Sequence, residues 1–412
     1  MIDVAIIGGG ASGFYCAIRI KELNPNLTVA IFEKTGKTLT KVRVSGGGRC
    51  NVTNNTYKTS ELVSNYPRGG SFLKKIFHQF GVKEFISWLN LHGVEIKIEP
   101  DGRIFPISNT SETIAGLFEN LATKLNIQIY RHHEWQGFSQ SENYFQHVFN
   151  QKLIQDLKYF QSKFTVVATG GIPDLNKIHW KSNFLWTDPV PSLFSFNSNN
   201  IDLRKLKPLS GVSVSDGKIR IAGEKDHYSG PILITHWGIS GPAVLKMSAW
   251  MARRLSERNY KFKVLISWVG DKSEDSVRET LLHEIELNSK KRWKNITFNE
   301  VPSRLWELLL SESDIDLESI TGESNKKQIN RLTEFLLRYP VEITGKTTYK
   351  EEFVTAGGIN LESIEFPKMQ IKNTTGLYAC GEVLDIDGIT GGFNFQAAWS
   401  TAEQVAKSIA QT

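Results

Sequence analysis

Apolar and polar residues alternate between two patterns along this chain. Residues 2–7 (Ile-Asp-Val-Ala-Ile-Ile) are nearly continuous in apolar side chains, as in a short strand covered on both faces of a parallel sheet. A helical period follows to about Leu23, and Asn24-Pro25-Asn26 breaks it. Leu27 to Phe32 predicts a second strand that ends in Glu33, so the chain begins as a βαβ unit. Residues 36–54 are rich in Gly, Ser, Thr and Asn and read as a long loop. Residues 71–92 predict two short amphipathic helices broken near Gly81, and 111–125 predict another helix. Strand candidates fill 127–167 and finish in the buried run 164–168, just before Thr169-Gly170-Gly171.

The pattern changes near Thr187. Pro189, Pro191 and Pro208 among short strand patterns predict a β-rich module over 187–272. Residues 273–340 predict a helical subdomain. Val277, Leu281, Leu282 and Ile285 form one apolar face; Leu305, Leu308 and Leu309 a second; Ile329, Leu332, Phe335 and Leu336 a third. The run Lys290-Lys291-Arg292 reads as a solvated face. After Pro340 the strand pattern returns, with a buried strand over 376–383, a Gly-rich loop, and a last helix from about Asn394 to Ala410. The expected architecture is α/β: a doubly wound Rossmann-like domain from residues 1–186 and 341–412, interrupted by the insert 187–340.

The length of 412 residues suits two or three domains, and 40% hydrophobic with 22% charged residues is ordinary for a globular chain. Lys plus Arg number 49 against 43 Asp plus Glu, a formal charge of +6. Over this length +6 is mild; it suits an anionic ligand, and no clustered basic stripe with interleaved aromatics marks a nucleic-acid partner. Three cysteines without a CxxC pair support neither a disulfide framework nor a zinc site, and no metal is expected. No run is long enough for a signal-peptide core or a bilayer span, so the expected location is the cytoplasm.

The first chemical signal is Gly8-x-Gly10-x-x-Gly13 between strand and helix. Gly8 permits the tight turn, Gly10 lets backbone approach a pyrophosphate, and Gly13 lets helix and strand pack closely. The phosphates would sit at the helix N-terminus, where free amides and the helix dipole favour negative charge. Glu33 ends the second strand, where its carboxylate can accept both ribose hydroxyls of an adenosine and would repel a 2′-phosphate. Three later segments bear on the cofactor: Ser45-Gly46-Gly47-Gly48-Arg49-Cys50-Asn51-Val52-Thr53-Asn54, Ala168-Thr169-Gly170-Gly171, and Gly381-Glu382 with Gly388, Gly391 and Gly392. Several strands thus end in glycine loops, and in open α/β sheets ligands bind at those ends, so one long ligand could touch all of them.

On these residues, with Thr235–Pro242 (THWGISGP), Val354–Ile359 (VTAGGI) and Gly381–Ala397 (GEVLDIDGITGGFNFQA), the chain resembles the two-dinucleotide-binding-domain flavoproteins. More closely, it is similar to the BaiN-like and aminoacetone-oxidase-like family of bacterial FAD-dependent oxidoreductases. Two departures stand out: Phe366-Pro367-Lys368-Met369-Gln370, where relatives usually show Thr-Met-x-Ser-Lys, and Phe393, where they usually have Tyr.

The resemblance implies FAD. The ADP half would lie on Gly8, Gly10, Ala11, Ser12, Gly13 and Glu33, with Lys34 and Lys41 nearby. The flavin side would be lined by Ser45, Gly46, Gly47, Gly48 and Asn51, and Thr53, Thr169, Gly170 and Gly171 are further candidate cofactor contacts. The ribityl chain and pyrimidine edge would meet Gly381, Glu382, Asp387, Gly392, Phe393 and Asn394. The last helix would aim its N-terminus at the pyrimidine edge. A helix-terminus interaction of about 0.3–1 kcal/mol raises a two-electron potential by roughly 5–20 mV.

Three residues are candidates for chemistry. His236 is the candidate acid–base group among nine histidines. Arg49 is a candidate anion contact. Cys50 is either a redox-active thiol or a packing residue beside the ring. No second GxGxxG of comparable quality is present, so no separate nicotinamide domain is expected. The expected reaction is hydride transfer between a small organic substrate, or NAD(P)H docking transiently, and flavin N5. The alternatives are a flavin-dependent tRNA-modifying enzyme and a flavin-binding sensor without turnover.

Overall fold

A computed structural model of the chain describes residues 1–298, 301–347 and 354–412. It divides into two compact units, Met1–Pro191 with Tyr349–Thr412, and Ser192–Thr348.

In the first unit the strand Ile2–Ile7 runs parallel to Val29–Phe32 on one side and to Asp156–Val167 on the other. Gln128–Tyr130 extends the parallel sheet beyond Val29–Phe32, and Leu377–Ala379 extends it beyond Asp156–Val167. The strand order reverses direction at Ile2–Ile7, which makes the loop after Ile7 the switch point of a doubly wound sheet. Val4, Ala5 and Ile6 are fully buried, as their continuous apolar run requires. Asp156–Val167 is longer than expected because it serves two partners: its first half pairs antiparallel with Phe145–Gln151, its second with the parallel sheet.

Helix Ala11–Leu23 packs against the last helix, Phe393–Ala410. That last helix is buried on nearly every side, so its one buried acid, Glu403, needs partners. Arg19 Nε donates to it at 2.8 Å and the Tyr15 hydroxyl at 3.2 Å. Trp399 stacks on Phe85 with centroids 4.9 Å apart. The two helices expected over 71–92 are Gly70–Phe77 and Val82–Leu91, with Gly81 between them.

The second unit is a closed six-stranded barrel, ordered Phe196–Ser198, Gly238–Ser240, His227–Thr235, Ser213–Ile221, Phe262–Ser267 and Tyr339–Lys346. Helices Glu274–Leu287, Ser303–Glu312 and Lys326–Arg338 lie between the last two strands in sequence.

The structure differs from the expectations in four places. The insert closes later than 340, because Tyr339–Lys346 pairs with both Phe262–Ser267 and Phe196–Ser198 and completes the barrel. The insert also opens later than 187, because Trp186–Ser192 pairs with Val354–Ile359 in a separate two-stranded sheet. Residues 36–54 are not all loop: Thr40–Gly48 forms a helical turn that kinks at Ser45, and Thr53–Asn54 forms a short strand. Leu282 is 50% exposed, because the helix Glu274–Leu287 buries a narrow face through Val277 and Leu281.

Candidate functional site

The switch-point loop is built by what its glycines exclude. Gly8 has φ +119°, and a Cβ there would lie 2.3 Å from the Ala168 carbonyl oxygen. A Cβ on Gly13 would lie 2.0 Å from the Gly8 oxygen. Both positions are closed by the fold itself. Gly10 differs: its φ of −92° suits any residue, and a Cβ there would meet nothing within 4 Å. Folding gives no reason for glycine at position 10, whereas close approach of a pyrophosphate does. Helix Ala11–Leu23 starts there with no side-chain cap and no acid in its first turn, so its first amides are left for an anion. Glu33 stands over this loop. Its Oε2 accepts from the Gly9 amide at 2.9 Å and its Oε1 from the Thr35 amide at 2.8 Å. Lys34 is exposed.

The Gly-rich segment 46–48 is left-handed throughout, with φ of +58°, +68° and +81°. A Cβ on Gly46 would meet the Phe105 ring at 2.9 Å, but Gly47 and Gly48 face open space. They form a second surface lined by backbone where a flat ring can lie. The neighbours of this cradle hold it in shape. Arg49 reaches Glu99 at 2.6 Å and lies 4.0 Å over the Phe105 ring. Asn51 accepts from the Ile104 amide at 3.2 Å, and the Thr53 hydroxyl donates to Gln396 at 2.6 Å. Ser45 donates to the Val42 carbonyl at 2.9 Å. Cys50 is fully buried, and burial pushes its thiol up to about 12, so it stays protonated and packs. Arg49 is thus held by Glu99 and Phe105, and Cys50 is buried beneath the cradle.

The sheet brings the other segments to the same edge. Ser12 touches Gly381, where a Cβ would come within 2.4 Å of its hydroxyl. Thr169 borders Gly8, and Gly170 and Gly171 both face Glu382. Glu382 pairs with Lys41 at 2.6 Å and accepts from the Thr355 amide at 3.2 Å. Gly392 (φ +94°) lies directly on the backbone of Thr53, where a Cβ would come within 2.4 Å. Loops 339 residues apart in sequence are therefore in van der Waals contact.

The loop after Glu382 spends its polar groups on itself. Asn394 donates to the Gly388 carbonyl at 2.9 Å and accepts from the Gly388 amide at 2.8 Å. Phe393 is buried, and its carbonyl accepts from the Tyr66 hydroxyl at 2.7 Å. Asp387 is fully buried, with both carboxylate oxygens on the Arg68 guanidinium. Together these bonds order the loop that ends at the last helix. That helix also begins without a side-chain cap or an acid in its first turn. Arg68 was not among the expected residues. The signal for it was the Arg68-Gly69-Gly70 string, since Gly69 lets this segment pack on Ile386.

His236 belongs to the second unit. It sits exposed at the tip of the hairpin from His227–Thr235 to Gly238–Ser240, its ring centroid 4.1 Å from that of Trp237.

Two uncapped helix N-termini, two backbone cradles and an acid after the second strand, all at one sheet edge, fit FAD. Fold and site define a Rossmann-type FAD-dependent oxidoreductase. The chain belongs to the family described as HI0933-like protein Rossmann domain, which matches residues 2–408. Among its relatives is the ribosomal RNA dihydrouridine synthase of Haemophilus influenzae, 29% identical over 98% of both chains. Another is the 3-dehydro-bile acid delta(4,6)-reductase of Clostridium scindens, 24% identical over 100% of both. The crystal structure of a 3-ketosteroid-Δ4-(5α)-dehydrogenase from Rhodococcus jostii, in complex with 4-androstene-3,17-dione, shares the fold. Its TM-score is 0.51 at 12% identity, over 100% of this chain and 97% of that one. No helix among the described residues is long and apolar enough to cross a membrane.

Proposed function

We propose that this protein reduces the C5=C6 bond of uridine in ribosomal RNA to dihydrouridine. The observation that carries this reading is the match to a ribosomal RNA dihydrouridine synthase over 98% of both chains, insert included. The names of both relatives imply one chemistry. In uracil, as in a 3-oxo-4,6-diene, the reduced double bond is conjugated to a carbonyl and accepts hydride at its far carbon. FAD, when bound and reduced by NAD(P)H, would supply that hydride. The balanced reaction is uridine plus NAD(P)H plus a proton giving dihydrouridine plus NAD(P)⁺.

The chain's own residues do the rest. Amides at Gly10 to Gly13 bind the pyrophosphate, Glu33 accepts the adenosine ribose hydroxyls, and Gly47 and Gly48 leave room for the ring. We assign His236 the proton delivered to substrate carbon, on its exposed position and its seat against Trp237. The location that goes with this reading is the cytoplasm, and three unpaired cysteines are in keeping with a reducing compartment.

The test is to incubate FAD-loaded protein with protein-free ribosomal RNA and NADH or NADPH, digest the RNA, and weigh the nucleosides. A uridine heavier by two hydrogens supports the reading. Flavin reoxidised by a 3-oxo-4,6-diene steroid, with no dihydrouridine formed, would replace it with the steroid reading.

A further inference from the structure

The charge of +6 is not spread evenly. Residues 192–272 carry thirteen Lys and Arg against six Asp and Glu, a net +7. The structure gathers part of this excess around a cleft of about 490 Å³ on the barrel, lined by strands Ser213–Ile221 and Phe262–Ser267, loop 270–273 and the end of helix Lys326–Arg338. Each acid on its wall is already matched. Glu224 takes Arg254 at 2.8 Å and Arg258 at 2.6 Å; Asp271 takes Lys218 at 2.5 Å; Glu274 takes Arg338 at 2.7 Å. Arg220 and Lys225 line the same cleft, and neither forms an ion pair among the described residues. Among the described residues the Arg220 guanidinium makes one hydrogen bond, to the Glu224 carbonyl at 3.1 Å, which leaves most of its donor fork available. Its lining holds no Phe, Tyr or Trp, and His227 is its single ring, so cationic groups outnumber stacking surfaces and phosphates suit it better than bases.

We infer that this cleft docks the phosphate backbone of the RNA substrate, with Arg220 and Lys225 as its phosphate contacts. The inference rests on the ribosomal RNA reading above and adds where on the chain that RNA is held. A planar guanidinium beside a flexible ammonium suits adjacent phosphates, the first bidentate and the second a mobile point charge. Because the contacts are electrostatic, they release counterions and leave a signature in salt dependence.

The experiment uses the FAD holoenzyme and protein-free ribosomal RNA in filter binding between 50 and 200 mM KCl. Wild type is compared with the double variants Arg220→Gln/Lys225→Gln and Arg220→Lys/Lys225→Arg. Two lost phosphate contacts reduce the slope of log affinity against log salt by roughly 1.4–1.8 and weaken binding about tenfold or more at 50 mM. The charge-keeping variant retains the wild-type slope, and all three proteins retain equal flavin content and equal flavin reduction by NADPH. An unchanged slope in Arg220→Gln/Lys225→Gln, with wild-type RNA binding intact, overturns this inference and leaves the proposed function standing. Wild-type holoenzyme that neither binds nor reduces ribosomal RNA overturns both.

Discussion

Gly10→Ala separates what the fold needs from what the ligand needs. Position 10 has ordinary extended φ and ψ, and an added methyl group meets nothing within 4 Å. In the apoprotein the substitution only restricts the unfolded chain, so it stabilises by about 0.4–1 kcal/mol. For a chain of this size that raises the melting temperature by about 1 °C. Toward FAD the sign reverses. The methyl group occupies the space where backbone must approach the pyrophosphate, and overpacking costs about 1–3 kcal/mol. At 1.4 kcal/mol per tenfold, FAD affinity falls about 5- to 140-fold. The assay is apoprotein melting by scanning fluorimetry, paired with FAD titration by flavin fluorescence. Unchanged FAD affinity would refute the reasoning that this gap belongs to the cofactor. A melting temperature lowered by several degrees would show instead that the fold itself requires the glycine.

The other predictions act on the fold. Gly8→Ala drives a Cβ to 2.3 Å from the rigid Ala168 carbonyl at φ +119°, and strain plus overlap cost about 2–5 kcal/mol in urea unfolding. Arg68→Ala strips the guanidinium from the buried Asp387 and costs about 3 kcal/mol or more, whereas Arg68→Met with Asp387→Leu recovers much of the loss. His147 is buried against Ser162 (2.9 Å) and Thr165 (3.1 Å), and burial lowers its pKa to about 3. Its unfolded value of about 6.5 is higher, so the fold binds fewer protons. The stability it contributes is full above 6.5 and lost as pH falls toward 3. Between pH 7.5 and 5 the loss is about 2 kcal/mol, and His147→Gln shrinks the gap between those two pH values by that amount.

The parallel sheet and its glycine turn were legible because continuous apolar strands and GxGxxG are local signals, one strand or turn long. The closing strand Tyr339–Lys346 was not, because its membership in the barrel depends on pairing with Phe196–Ser198, about 150 residues earlier. The kinked turn at Thr40–Gly48 was hidden because it buries only Val42 and so shows no apolar period. In the site, glycines could be read from backbone requirements alone. The polar residues between them could not: Asn51, Asn394 and Asp387 have the chemistry of ligand contacts, and only coordinates show their hydrogen bonds closing on neighbouring loops. The net charge of the whole chain concealed the basic excess of residues 192–272, since averaging over 412 positions dilutes a local field.

Hydrogen–deuterium exchange of the apoprotein with and without saturating FAD probes the convergence of these loops at once. The account predicts slowed exchange in four separated segments together: 9–14, 45–50, 169–172 and 388–396. Slowing confined to 9–14, with the other three unaffected, would show that a nucleotide binds the first turn alone and would contradict a single cofactor spanning the sheet edge.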